Sequence, residues 1–245
     1  MPINNSWPTG QLSIIREQRM ELKQLADRVW IAEYEEERDR PNLGYVLGEH
    51  WSLAVDAGHS SAHVEDFYRA LEREDLPLPS LTVLTHWHWD HTFGMHCIHG
   101  LSLSSRKTGR YLRAFRERLL QEGEECFFSL HPSIRAEYAG GRAVTVVPPD
   151  MEYEGSVSLD AGNLPVRVFQ AESPHTDDSS LIFLPEEKIL FLGDAPCGVF
   201  PGWEVDPVRA GELIRFIENT GAELCVSGHW EVQPRDELIA QLREE

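Results

Sequence analysis

Leu81-Thr-Val-Leu-Thr-His86-Trp-His88-Trp-Asp90-His91-Thr-Phe-Gly-Met95 is the stretch on which the reading of this chain turns. Leu81 to Thr85 is a run of apolar and β-branched residues, which predicts a short buried strand. It leads into three histidines and an aspartate within six residues. Imidazole and carboxylate suit zinc, and iron or manganese as well. His86 and His88 are two apart, so on extended backbone they point the same way. Asp90 and His91 follow where the chain must turn, aimed at a second point nearby. One loop thus offers two ligands to each of two metal ions. A lone histidine would read as a core or surface residue; this dense run at a strand end does not.

Outward from that loop the chain alternates between strand and helix signals. Met20–Leu25, Val29–Tyr34, Gly44–Leu47 and Trp51–Val55 predict strands, the last ending in Asp56-Ala-Gly58. A helix follows, with Ser60 or Ser61 as its cap and Val64, Phe67, Tyr68 and Leu71 on one face. Ser105 to Gln121 predicts another helix, with Leu112, Phe115 and Leu119 on one face. Arg106, Lys107, Arg110, Arg113, Arg116 and Arg118 make the rest of it basic. That basic face fits a solvated or ion-paired surface, a cationic helix that attracts an anionic substrate, or a contact with another subunit. Glu122 to Gly141 predicts one further helix. Strands are then expected at Val144–Val147, Ser156–Leu159, Val166–Gln170, Leu181–Leu184 and Lys188–Leu192. A helix at Pro207–Asn219, a strand at Glu223–Val226 and a helix at Pro234–Arg243 close the chain. Two groups of strands, each followed by helices, predict an α+β protein. Its expected architecture is a four-layer αβ/βα sandwich of two mixed β-sheets with helices outside.

Composition bounds the function. The length of 245 residues fits one large domain or two small ones. Such a chain buries roughly 70–75% of its unfolded surface, enough for a real core. The net charge of −19 argues against nucleic acid, which requires a basic footprint. No apolar run of membrane-spanning length occurs, and Met1–Pro8 has no basic region followed by an apolar segment. Cys97, Cys126, Cys197 and Cys225 have no CxxC spacing and read as reduced thiols. The expectation is a cytoplasmic protein acting on a small molecule.

Further ligand candidates lie far along the chain. His175 sits in Ser173-Pro-His175-Thr-Asp-Asp before a predicted strand. Asp194 ends a strand in Leu192-Gly-Asp194-Ala, and His229 ends Cys225-Val-Ser-Gly-His229. His86 to His91 closely resembles the signature of the metallo-β-lactamase fold superfamily, and these three residues match its later motifs in order. The resemblance runs from about Met20 to His229, with no motif between His99 and Val144. It implies one such domain over 1–245 with a helical insertion at about 105–141.

The resemblance assigns His86, His88 and His175 to a first metal and Asp90, His91 and His229 to a second, with Asp194 bridging both. Asp90 is also the candidate catalytic residue. Asp56 matches a position that supports the metal loop from behind the ligands. His59, His96 and His99 match no ligand. Trp87 and Trp89 read as packing residues or as a substrate platform. Cys197, Phe200 and Trp203, soon after Asp194, are candidates for one wall of the substrate pocket.

The implied cofactors are two divalent ions, zinc first, with iron or manganese also compatible. The implied function is a hydrolase in which a metal-bridging hydroxide attacks a small ester, thioester, lactone or phosphoester. The alternatives are a mono-iron oxidoreductase of the persulfide dioxygenase type and a metal-dependent small-molecule binding or sensor protein. Within the superfamily, a bridging Asp194 points away from true β-lactamases and towards glyoxalase II and lactonase-like hydrolases. Few residues follow His229, fewer than the glutathione-binding domain of glyoxalase II occupies. Cys197 stands where the lactonases carry a carbonyl-polarising tyrosine. The oligomeric state stays open, a homodimer included.

Overall fold

In a computed structural model of the protein, which describes residues 19–244, the strands assemble into two sheets. The first runs β1 (Leu22–Ala26), β2 (Val29–Ala32), β3 (Leu43–Leu47), β4 (Ser52–Val55), β5 (Leu81–Val83), β6 (Leu101–Ser105), β7 (Met151–Tyr153), in that spatial order. The second contains β8 (Ser156–Asp160), β9 (Pro165–Ala171), β10 (Ser179–Leu184), β11 (Ile189–Gly193), β12 (Leu224–Ser227) and β13 (Gln233–Pro234), ordered from β13 down to β8. Both sheets are mixed: β4 to β7 pair in parallel, as do β11 and β12, while the other neighbours are antiparallel.

The layers follow from what each face buries. Val29, Ile31, Val46, Val55 and Val83 of the first sheet meet Val166, Val168, Ile182, Ile189 and Phe191 of the second, forming the core between them. The outer face of the first sheet packs Tyr45 and Ala54 against Phe67 and Leu71 of α1 (Ser61–Arg73). Ser60 caps that helix, its hydroxyl accepting the Ala62 and His63 amides at 3.1 and 3.2 Å. The second sheet packs Leu181, Leu190 and Leu192 against α6 (Pro207–Thr220) and α7 (Arg235–Glu244). Helix, sheet, sheet, helix is the expected four-layer sandwich.

Strand direction gathers the site. β4 and β5 are parallel, so Asp56 and His86 leave their strands at the same end. β11 and β12 are parallel, with Gly193 opposite Ser227, so Asp194 and His229 emerge side by side. β10 runs antiparallel to β11, so the loop that carries His175 enters at that same end.

Three expectations need correction. Val144–Val147 is not a strand. Val144 and Val146 are buried, but against the helical segment rather than in a ladder; alternate burial of an extended chain leaves the same sequence pattern as a strand. Leu101–Ser105 and Met151–Tyr153 are strands that the pattern did not announce, because their alternation is short and half polar. The region after α3 (Arg106–Glu122) holds two short helices rather than one, α4 (Glu125–Phe128) and α5 (Pro132–Glu137), beside α2 (Trp89–Thr92) in the metal-binding loop. Met1–Pro8, read as lacking a secretory signal, lies outside the described residues.

Helices α3 to α5 close over the site end of the sandwich. Leu112 and Phe115 of α3 pack with Phe93, Phe127, Ile134 and Trp89 in one apolar cluster, so that face is covered by its own chain. The basic face pairs with acids of the body: Lys107 with Glu172 and Asp177, Arg113 with Glu152, Arg106 with Glu154. One buried ion pair ties the segment down. Glu137 accepts from Arg40 Nε and Nη2 at 2.7 and 2.9 Å, and also from the Ser60 hydroxyl. Among the described residues, no helix is long and apolar enough to cross a membrane.

Candidate metal centre

Seven side chains meet at the strand ends. Their donor atoms form two groups, His86, His88 and His175, and Asp90, His91, Asp194 and His229, each group within 4.8 Å. His175 Nε2 lies 2.9 Å from His88 Nδ1, and His229 Nε2 lies 2.9 Å from Asp90 Oδ2. Asp194 stands between the groups, with Oδ1 at 3.3 Å from His91 Nε2 and Oδ2 at 3.7 Å from His175 Nε2. His59, His96 and His99 fall in neither group.

The imidazoles are aimed from behind. Asp56 Oδ2 lies 2.7 Å from His91 Nδ1, leaving His91 Nε2 to face the cluster. The Gly198 carbonyl stands 2.7 Å from His175 Nδ1 and leaves Nε2 facing inward in the same way. Thr85 Oγ1 donates to Asp56 Oδ2 at 2.8 Å and lies 3.1 Å from His86 Nδ1. A ring held at one nitrogen presents the other in one direction, as metal sites require.

Charge divides the two groups. Burial, helped by His91 and His88, holds His86 well below the usual histidine range. Burial and His175 push His88 down to about 3. Burial also opposes a charge on His229, but Asp194 and Asp90 outweigh it and raise the imidazole to about 9. His91 is raised in the same way, burial being overcome by Asp90, Asp194 and Asp56. Asp194 goes the other way: burial would raise it, yet His91 and His229 hold it well below the usual carboxylate range. Neutral imidazoles on one side and carboxylates short of positive charge on the other are the donor set that a divalent cation takes. Buried atoms without a hydrogen-bond partner are rare in folded proteins. Here His86 Nε2 and Asp194 Oδ1 are both of that kind, so the residues fit metal ions.

The cluster forms the floor of a cavity of about 900 Å³. Cys197, Phe200 and Trp203, picked out in the sequence, line one wall. Trp203 stacks on His175 with centroids 6.1 Å apart, and Phe200 meets the Trp89 ring edge-on at 5.3 Å. Trp89 is packing and support at once. It stacks on His88 at 5.4 Å and donates its indole N–H to Asp39 at 3.2 Å. Trp87 packs against Tyr111 and Phe115.

Sequence reading missed several contributors. Tyr34, Glu36, Asp39, His131 and Trp230 complete the cavity, brought there by loops with no metal-like pattern. Gly228 is the clearest omission. A Cβ there would lie 2.0 Å from Asp194 Oδ1 and 2.9 Å from His91 Cε1, so only glycine fits. Its position directly before His229 was the available signal.

Comparison with known proteins agrees with this geometry. The model of the metallo-beta-lactamase superfamily matches residues 38–211. The chain belongs to that superfamily. Among solved structures, the metallo-beta-lactamase from Pontibacter korlensis superposes with a TM-score of 0.65 at 17% identity, covering 92% of this chain and 100% of that one. A metallo-beta-lactamase from Hirschia baltica gives 0.63 at 13% identity, covering 93% and 97%. Identities this low speak for the fold of the superfamily alone. Two curated relatives are similar in sequence. Acyl-coenzyme A thioesterase MBLAC2 of Gallus gallus is 29% identical over 222 residues, 82% of this chain and 76% of its own length. Atrochrysone carboxyl ACP thioesterase of Aspergillus fumigatus is 23% identical over 188 residues, 76% of this chain and 49% of its own, so the chain spans about half of that relative.

Proposed function

We propose that this superfamily member is a metal-dependent hydrolase of a small acyl compound, with a thioester as the first choice over oxyester, lactone or phosphoester. The observation that carries the reading is the pair of converging donor groups on the cavity floor. Two relatives named as thioesterases support the choice of bond. Two donor groups favour this reading over a mono-iron oxidoreductase, which needs one.

His86, His88 and His175 would hold one divalent ion and Asp90, His91 and His229 a second, with Asp194 shared. Zinc comes first, iron or manganese next. Bound there, such ions supply Lewis acidity towards a carbonyl oxygen and lower the pKa of water to near 7.

The chain's own residues do the positioning. Asp56 and the Gly198 carbonyl keep His91 and His175 facing inward. Asp90, the catalytic candidate, presents Oδ2 between His229 Nε2 at 2.9 Å and His91 Nε2 at 3.1 Å. Phe200, Trp203 and Trp89 give the substrate an aromatic wall beside His88 and His175. The segment 105–141 acts as an insertion on a single domain and contributes His131 to the cavity lining.

The reading is tested with one acyl group presented as thioester, oxyester and amide, alongside a lactone, a phosphodiester and a β-lactam. Thioester hydrolysis that a chelator abolishes and zinc restores is the expected result. Turnover that survives complete metal removal overturns it.

A further inference from the structure

The cavity above the candidate metal centre has an unusual lining. The chain has 22 lysines and arginines, yet among the described residues none lines it. The nearby cations are engaged elsewhere. Arg38 grips Glu35 at 2.6 and 2.7 Å, and Arg40 is buried against Glu137. Besides the candidate ligands Asp90 and Asp194, two carboxylates, Glu36 and Asp39, line it. So do three aromatic side chains that stay in contact with solvent, Tyr34, Trp203 and Trp230, at 36, 55 and 40% exposure. Large aromatics left open around a cavity mark a binding surface rather than a core.

Chemistry decides what such a lining accepts. Aromatic faces attract cations, most of all quaternary or alkylated ammonium groups. Carboxylates add attraction for the same charge. Away from the candidate ligands, a phosphate would find no lysine or arginine among the described lining residues and would face Glu36 and Asp39, and an unpaired charge out of water is costly. We propose that the substrate carries an ammonium group, and that this group sits among Tyr34, Trp203, Trp230 and Glu36 while the acyl carbon lies over the cavity floor. This rests on the hydrolase reading above. For a thioester the reaction consumes one water: the C–S bond breaks, a C–O bond forms, and the products are the carboxylic acid and the protonated thiol.

The test pairs binding with turnover on the intact protein as purified. Tryptophan fluorescence is titrated with choline and with 3,3-dimethylbutan-1-ol, its uncharged isostere. Choline is expected to bind about fivefold or more tightly, the scale of one or two exposed cation–aromatic contacts. Glu36→Gln is expected to narrow that ratio about twofold, and added salt to shrink it. Butyrylthiocholine, S-(3,3-dimethylbutyl) thiobutyrate and butyryl-coenzyme A are then compared as substrates, the first having the highest expected kcat/KM. Equal binding of choline and its isostere overturns the inference, as does a preference for the coenzyme A thioester. If choline binds selectively while none of the thioesters is hydrolysed, the ammonium site stands and the thioesterase reading falls. If all the thioesters are hydrolysed without preference, the reverse holds.

Discussion

Asp56 Oδ2 lies 2.7 Å from His91 Nδ1 while Asp56 Oδ1 accepts the Thr85 amide, also at 2.7 Å. One carboxylate thus fixes both a ligand ring and the start of the loop that carries the ligands. Asp56 adopts φ of 65°, a left-handed conformation that a non-glycine residue rarely takes. Strain of this kind, on the order of 1–3 kcal/mol, persists where the surroundings enforce it. Asp56→Ala is expected to weaken metal affinity by about 10–100-fold, as loss of a ligand-orienting partner does. Competition with a chromogenic chelator measures it; unchanged affinity would remove Asp56 from the site.

Gly228 gives a sharper steric test. The methyl of Gly228→Ala would need the space that Asp194 Oδ1 occupies, so the carboxylate has to move. Metal content and activity are expected to fall together while the circular dichroism spectrum stays native. A fully active, fully loaded variant would show that Asp194 does not need its present position.

The Arg40–Glu137 pair joins the helical segment to the sandwich. Both side chains are buried, at 2 and 0% exposure. Breaking a buried pair by removing one partner costs about 3–5 kcal/mol, because the other charge is stranded. Glu137→Ala is therefore expected to lower Tm by on the order of 10 °C. The double variant Arg40→Met/Glu137→Leu should lose much less. Equal losses in the two would mean that packing, not charge, holds the segment.

Asp178 predicts a dependence of stability on pH. Burial raises its carboxyl to about 6, although Thr176 and Thr108 donate to it. A folded-state value above the unfolded one means stability that is complete below about pH 4 and lost as pH rises through about 6. Other groups add their own slopes, so the comparison is between variants. Asp178→Asn should remove this component, gaining on the wild type in Tm between pH 4 and 7. A constant Tm difference across that range would contradict it.

Much of this was legible in the sequence, for specific reasons. His86 to His91 follow β5 in one loop with a helical turn, and His175, Asp194 and His229 each adjoin a strand; strand direction then decides that these points coincide. Local pattern therefore picked out the residues from His86 to His229 whose donor atoms converge. What it did not carry depends on packing between distant segments. Val144 and Val146 look like strand residues because they alternate, but only the presence of a neighbour makes a ladder. The basic face of α3 left three readings open. Its pairing with Glu152, Glu154, Glu172 and Asp177 favours attachment to an acidic body over substrate attraction. Glu36, Asp39 and Trp230 reach the cavity from loops whose sequences signal nothing, so the character of the pocket appeared only in three dimensions.

The central claim is that two donor groups each hold an ion. Elemental analysis of the purified protein beside His86→Ala and His229→Ala tests it most directly. The account predicts about two divalent ions per chain in the wild type and loss of at least one in each variant. A single ion in the wild type that survives His229→Ala, or metal content that neither substitution changes, would contradict it.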